Sequence, residues 1–129
     1  MATTDLAPGT YTNGPEESSR YYSAQALTLD GTTDITEAWD IRRFAMGHVS
    51  ITTATVVATA FTFSVSTDGT TFRDAYDEGG VVVTLTLHAT QEAKFYTIPA
   101  RIMEYGWIKF KSNGDEGGTS SALLVGGKS

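Results

Sequence analysis

The clearest feature of the chain is a strict alternation of apolar and polar residues in two short runs. In Ala60–Ser66 the large apolar side chains Phe61, Phe63 and Val65 occupy every second position, and Val81–His88 repeats the pattern. Alternation with a period of two is typical of an antiparallel β-strand that buries one face and exposes the other. An Asp-Gly turn follows the first run and a Gly-Gly turn precedes the second, so both are predicted to be strands.

Shorter runs of the same kind continue from Arg20 toward the C-terminus. They predict further strands in Tyr22–Leu29, Ile41–Ala54, Phe72–Tyr76, Phe95–Ile98, Tyr105–Ser112 and Ser120–Val125. In the second of these the apolar positions change from even to odd numbers after Gly47, which predicts a bulge or bend. Only Thr90–Lys94 has a weak helical character, and Gly126–Gly127 is predicted to be a loose tail. About seven or eight strands predict an all-β fold, an antiparallel β-sandwich or jelly roll, with the strand order left open.

Aromatic side chains are divided between the predicted core and the predicted surface. Six phenylalanines can fill the core, namely Phe44, Phe61, Phe63, Phe72, Phe95 and Phe110. Trp39 lies in a connection and is expected to cover one end of that core. Tyr21, Tyr105 and Trp107 are predicted to lie on outer faces, where they either anchor a protein or a sugar ring or simply cover the sheet.

The first part of the chain has a different composition. Residues 1–19 are rich in Thr, Ser, Gly and Pro, with Leu6 and Tyr11 as the large anchors. Such a segment buries too little apolar surface to order by itself, so we predict a flexible N-terminal arm over 1–19 and a β-sandwich domain over 20–129. Two interpretations remain: a disordered terminus, or an arm that becomes ordered on a neighbouring subunit.

Composition excludes several classes of function. With 129 residues the chain has the length of one domain, and without cysteine it has neither disulfides nor thiolate metal sites. A net charge of −6 disfavours binding to nucleic acid, since the basic runs at Arg42–Arg43 and Lys109–Lys111 are short. No run approaches the roughly 20 apolar residues of a membrane span, and no secretory signal is expected at the N-terminus.

No pattern in the chain indicates catalysis. His48 and His88 are predicted to face outward from strands without an orienting acid, and no Gly-x-Ser-x-Gly motif is present. Acidic residues cluster in turns, where Asp usually bonds to its own backbone; these clusters are Asp30 and Asp34, Asp74, Asp77 and Glu78, and Asp115 and Glu116. None has the spacing of a calcium loop, and no phosphate-binding glycine motif occurs. We therefore predict no enzyme activity, no metal and no cofactor.

Threonine and serine dominate the predicted outer faces of the sheets. Thr52, Thr62, Ser64, Thr84 and Thr86 belong to this set. A β-rich surface with few charges tends to aggregate unless its edges are covered, and burial against other subunits is one way to cover them. This surface therefore favours a role in an assembly.

Three segments resemble small phage structural proteins and discoidin-like jelly rolls. Phe61–Tyr76 has a strand that ends in Ser-x-Asp-Gly-Thr-x-aromatic; Ile98–Ser112 resembles the partner segment, and Leu29–Ile51 resembles the opening of the same proteins. The resemblance is to phage capsid decoration, or cement, proteins of jelly-roll or β-sandwich type. Discoidin-like domains are usually longer and often carry a disulfide, and this chain has neither feature.

The resemblance implies a structural accessory protein that binds the major capsid protein lattice, often as a homotrimer. It implies synthesis in the host cytoplasm and a final location on the capsid exterior. The residues that we expect to contact the partner are Tyr11, Tyr21, Tyr22, Arg42, Arg43 and Trp107. The alternative is a carbohydrate-binding module or a tail protein for host attachment, with a platform at Trp107 or Tyr105.

Overall fold

The computed structural model describes residues 22–52, 56–88 and 94–129, which form two antiparallel β-sheets. The strands are β1 (Tyr22–Leu29), β2 (Trp39–Asp40), β3 (Met46–Ile51), β4 (Ala60–Ser66), β5 (Arg73–Asp74), β6 (Thr84–Thr86), β7 (Phe95–Thr97), β8 (Trp107–Ser112) and β9 (Ser121–Lys128). A single 3-10 turn at Ile102–Glu104 is the one helical element among these residues. The predicted all-β sandwich is confirmed. The predicted arm and the segment Thr90–Lys94 lie wholly or largely outside the described residues.

Each sheet is built around a long central strand. The four-stranded sheet has the order β1-β9-β3-β7, and the five-stranded sheet has the order β2-β8-β4, with β5 and β6 both paired to the far side of β4. β9 pairs with β1 over Tyr22↔Lys128 to Leu29↔Ser121, and with β3 over Met46↔Lys128 to Ile51↔Leu123. Strands adjacent in a sheet are thus often distant in the sequence.

The core lies between the sheets and contains the residues of the alternating stripes. Those fully buried are Leu27, Leu29, Val49, Ile51, Leu123 and Val125 from one sheet, and Phe61, Phe63, Ile108 and Phe110 from the other. The ring centroids of Phe61 and Phe110 lie 5.7 Å apart in an edge arrangement. Burying each large side chain contributes about 1.5–3 kcal/mol, so these inward stripes drive the association of the two sheets.

Some residues predicted to lie in the core lie elsewhere. Phe95 faces outward on β7 with 68% of its surface exposed, and the ring of Phe72 lies 4.3 Å from the Nζ atom of Lys109, an outward residue of β8. Val81 is also exposed, because the strand of its run extends only over Thr84–Thr86. The alternation therefore identified strands correctly in these places but assigned too many of their side chains to the interior.

The two glycines near the C-terminus are not a tail. Gly126 and Gly127 lie inside β9, paired with β1 on one side and β3 on the other. A Cβ atom on Gly126 would lie 2.6 Å from the imidazole of His48, and one on Gly127 would lie 2.4 Å from the ring of Phe44. Glycine is required here because an aromatic ring occupies the space above the strand on each face.

A buried carboxylate closes one end of the sandwich. Glu116 is only 3% exposed, and its two oxygens accept hydrogen bonds from the amides of Val57 (3.0 Å) and Ala58 (3.1 Å) and from the Ser112 hydroxyl (2.7 Å). Its own amide donates to Asp34 Oδ1 (2.9 Å). The acidic pair Asp115 and Glu116 therefore has a structural role that the sequence pattern did not distinguish from an ordinary turn.

Asp68 organises the turn that follows β4. Its Oδ1 atom accepts hydrogen bonds from the amides of Thr70 (2.8 Å) and Thr71 (2.9 Å) and from the hydroxyl of Ser66 (2.9 Å). These bonds, those of the Thr71 and Thr70 amides above all, lower the pKa of Asp68 from 3.8 to about 2. They favour the ionised carboxylate in the folded protein relative to the unfolded one.

We expect Asp68→Asn to lower the melting temperature at neutral pH and to have progressively less effect in acid. A pKa that is lower in the folded state stabilises the fold fully above about pH 4, and this contribution is lost as the pH falls toward 2. Melting temperatures of both proteins between pH 7 and pH 2 measure it. A difference between them that stays constant over this range would show that the ionised carboxylate is not its source.

Candidate docking surface

The crossover between the two sheets places Arg42 and Arg43 at an exposed tip. The segment 41–45 leaves β2 with a hydrogen bond from the Ile41 amide to the Gly106 carbonyl (2.9 Å) and reaches β3 with one from the Ala45 amide to the Lys128 carbonyl (2.8 Å). Ile41 is buried, while both arginines between these anchors are exposed. The segment itself, rather than a bulge within one long strand, explains the change of apolar register near Gly47.

Arg42 is held in a defined position by two neighbours. Its Nε and Nη2 atoms donate to the two carboxylate oxygens of Asp40 at 3.0 and 2.7 Å, and its guanidinium carbon lies 4.4 Å from the centroid of the Trp107 ring. The hydrogen bond from Arg42 lowers the pKa of Asp40, and the same bond raises the pKa of Arg42. An arginine ordered by a carboxylate and an indole loses little side-chain entropy when a partner binds.

An open cleft lies beside this arginine. Its volume is about 470 Å³, and it is lined by Ser23, Gln25, Asp40, Arg42, Arg43 and Phe44. The first two residues belong to β1 and the others to β2 and the crossover, so the cleft separates the edges of the two sheets. Its polar lining suits a segment of protein chain better than a small apolar ligand.

The outer face of the four-stranded sheet is apolar. We call the apolar face the outward residues Tyr22, Ala24, Ala26, Met46, His48, Phe95, Ala122, Leu124 and Gly126. Tyr22, Met46 and Phe95 are each more than half exposed. In the register rows from Tyr22↔Lys128 to Ala26↔Leu124, Lys128 carries the one formal charge among the described outward residues. Contiguous apolar surface of this kind marks an interaction site.

The two histidines have surroundings that suit packing rather than proton transfer. The His48 ring lies between Tyr22 (6.2 Å between centroids) and Phe95 (5.4 Å), above Gly126. His88 donates its backbone amide to the Tyr96 hydroxyl at 3.0 Å. Within the described ranges, no group of three or more His, Cys, Asp or Glu side chains could hold a metal ion.

The structure brings together four of the six residues predicted to bind a partner. Arg42 contacts Trp107, Arg42 and Arg43 line the cleft, and Tyr22 precedes the cleft residue Ser23 on β1. Tyr11 and Tyr21 lie outside the described residues. The prediction missed Met46, Phe95 and Leu124, which the fold exposes on the apolar face. The small even-numbered residues of β1 were the available signal, because Ala24 and Ala26 alternate with the buried side of that strand.

Comparison with known proteins supports the fold. No protein-family model matches the sequence, and neither does any curated protein. The crystal structure of the SPBc2 prophage-derived protein YomS is similar, with a TM-score of 0.51 and 9% identity over 84% of this chain and 96% of that one. A structure described as Bacillus endospore appendages that form a novel family of disulfide-linked pili gives a TM-score of 0.42 and 11% identity, over 97% and 96%. At these identities the likeness to YomS establishes a shared fold, and the weaker one carries no argument. No helix in the part of the chain that the structure describes is long and apolar enough to cross a membrane.

Proposed function

We propose that the chain is a structural accessory protein of a phage particle, one that decorates the capsid by binding its major capsid protein lattice. The observation that carries this proposal is the exposed apolar face, bordered by Arg42, Arg43 and Trp107. Tyrosine, tryptophan and arginine are the residues that most often dominate binding energy in protein interfaces. The shared fold with a prophage-derived protein is consistent with this setting.

In this role the protein acts through buried surface alone. A subunit bound across a joint between capsid subunits must be removed before the joint can open, so its binding energy adds to the stability of the shell. This mechanism requires neither a cofactor nor a catalytic group. The capsid exterior is the corresponding location, and the homotrimer that the sequence resemblance implies is tested by the mass of the free protein in light scattering.

We expect Trp107→Ala to weaken binding to capsid shells on the order of 30-fold, the effect of removing an interface residue worth about 2 kcal/mol. Arg43→Glu is expected to weaken binding as well, because it reverses a charge at the exposed tip. Co-sedimentation with shells that lack the decoration protein measures both effects.

Arg101→Glu is the matched control for Arg43→Glu, since it makes the same change of net charge. Arg101 pairs with Glu78, which follows β5 at the opposite side of the five-stranded sheet from β2. If all three variants bind shells as well as the unaltered protein, this end of the sandwich is not the capsid-binding site. If the unaltered protein does not bind shells, the proposed function itself is wrong.

A second candidate function is binding of a glycan. A polar groove of about 420 Å³ is lined by Tyr105 and by Val65, Ser66, Thr67, Asp68, Thr71, Arg73 and Asp74. An aromatic ring beside carboxylates and hydroxyls is a suitable lining for a sugar. A glycan array separates the candidates: specific hits that are lost in Tyr105→Ala support this function, and an array without hits removes it.

A further inference from the structure

Strand β1 leaves its outer edge open over most of its length. The Thr28 amide donates to Glu37 Oε1 at 2.7 Å and so points away from the neighbouring strand β9. Hydrogen bonding alternates along an antiparallel strand, so the backbone groups of Tyr22, Ala24 and Ala26 point the same way. Among the described residues, no strand pairs with this side of β1 over 22–26.

This edge lacks the features that normally prevent strands from pairing between molecules. Tyr22–Leu29 contains no charged residue and no proline over eight residues. The other outer strands of the described sheets are short: β2 and β5 have two residues each, and β6 and β7 have three. Exposed edges are usually short, charged or covered, and a long neutral edge is a template for another strand.

We propose that β1 pairs antiparallel with β1 of a second copy of this chain, about a two-fold axis at Ala24. Glu37 already occupies the Thr28 amide, so the free hydrogen-bonding positions are Tyr22, Ala24 and Ala26, and their centre is Ala24. In this register Ala24 lies opposite Ala24, and Tyr22 lies opposite Ala26. Each of these pairs exchanges two hydrogen bonds between the copies.

The side chains of β1 are self-complementary in this register. On the apolar face the Tyr22 ring lies beside the small Ala26 of the other copy, and on the cleft side Ser23 lies opposite Gln25. No like charges meet along the paired residues. The two four-stranded sheets become one continuous sheet, and their apolar faces join into a single larger surface. A two-fold contact of this kind is closed, so it does not propagate into a fibre.

Charge complementarity outside the paired strands favours a second copy over an unrelated strand. The described chain begins at Tyr22, and the same register continued upstream brings position 20 opposite Thr28 of the other copy. Position 20 is an arginine, and the Thr28 amide is held by the exposed carboxylate of Glu37. The pairing therefore brings opposite charges together twice, once on each side of the axis.

This contact concerns how copies of the chain meet each other, and it holds whether or not the larger partner is a capsid. It predicts particles of two subunits, or of six if the contact joins two trimers. A mass of one or three subunits at concentrations well above those of the shell-binding assay would overturn it. Light scattering therefore decides between this pairing and a threefold contact alone.

Cysteine cross-linking tests the register, because the chain has no cysteine of its own. Across a hydrogen-bonded antiparallel pair the Cα atoms are about 5.5 Å apart, within the range that a disulfide spans. We expect Ala24→Cys to form a disulfide-linked dimer under mild oxidation. In the same register Ala26 lies about 13 Å from its own copy, so Ala26→Cys is expected to remain monomeric on a denaturing gel.

Ala122→Cys is the second control, since it exposes a thiol on the same sheet but away from β1. Cross-linking of Ala24→Cys no faster than this control, or fastest cross-linking at Ala26, would refute the proposed pairing. A charge exchange gives an independent readout: Arg20→Glu and Glu37→Arg are each expected to shift the mass toward the smaller species, and the double variant to restore it. Absence of that restoration would refute the contact between these two residues.

Discussion

Gly127→Ala is expected to lower the free energy of unfolding by about 3 kcal/mol, at the upper end of the cost of overpacking a core. A Cβ atom at this position would lie 2.4 Å from two carbons of the Phe44 ring, far inside van der Waals contact. The ring cannot simply move away, because it packs against Trp39 at 5.8 Å and β9 is paired on both sides. Urea denaturation of both proteins measures the difference.

Gly114→Ala is the matched control, since a Cβ atom there meets nothing within 4 Å. It is expected to change the free energy of unfolding by less than about 0.5 kcal/mol. Equal effects of the two substitutions would show that the contact with Phe44 does not determine the need for glycine at position 127.

The same substitution connects the core to the candidate docking surface. Phe44 belongs to the crossover 41–45, and that crossover carries Arg42 and Arg43. A ring displaced by a methyl group at position 127 shifts the segment that positions both arginines. We therefore expect Gly127→Ala to weaken shell binding more than its loss of stability alone explains.

The sequence predicted the strands well wherever one face of a strand is buried along its whole length. Phe61, Phe63 and Val65 on β4, and Ile108 and Phe110 on β8, alternate with polar residues, and all five are buried. The pattern is reliable there because a shift of one residue would expose every apolar side chain. The same logic failed for Phe95, because the apolar face lies outside the sandwich, and alternation does not say which apolar stripe points inward.

Long-range packing accounts for what the sequence could not predict. Gly126 and Gly127 have a composition typical of a tail, and only the rings of His48 and Phe44 explain their place in a central strand. At the candidate docking surface, the exposed arginines and Trp107 were predicted one by one, but their contact depends on the pairing of β2 with β8. Pairing between distant segments cannot be deduced from the local pattern.

Glu116→Ala is the second substitution with a large expected effect. It removes the acceptor of two backbone amides and one hydroxyl in a site where the carboxylate is 3% exposed. Each buried donor that loses its partner costs about 1–3 kcal/mol, so we expect a total loss of about 3–4 kcal/mol in the free energy of unfolding. The Val57 and Ala58 amides belong to the segment before β4, and this end of the sandwich is expected to open first, with faster hydrogen exchange at both amides.

Two variants separate the loss of an acceptor from other effects at this position. Glu116→Gln keeps the shape and one acceptor oxygen, so its expected cost is about half that of alanine, because its amide nitrogen then faces a donor. Asp115→Ala removes the neighbouring carboxylate, which is exposed and accepts one bond from the Gly117 amide at 2.8 Å, and should cost less than about 1 kcal/mol. If Asp115→Ala destabilised the protein as much as Glu116→Ala, general disruption of the turn would explain both, and the buried carboxylate would have no special part in holding the two segments together.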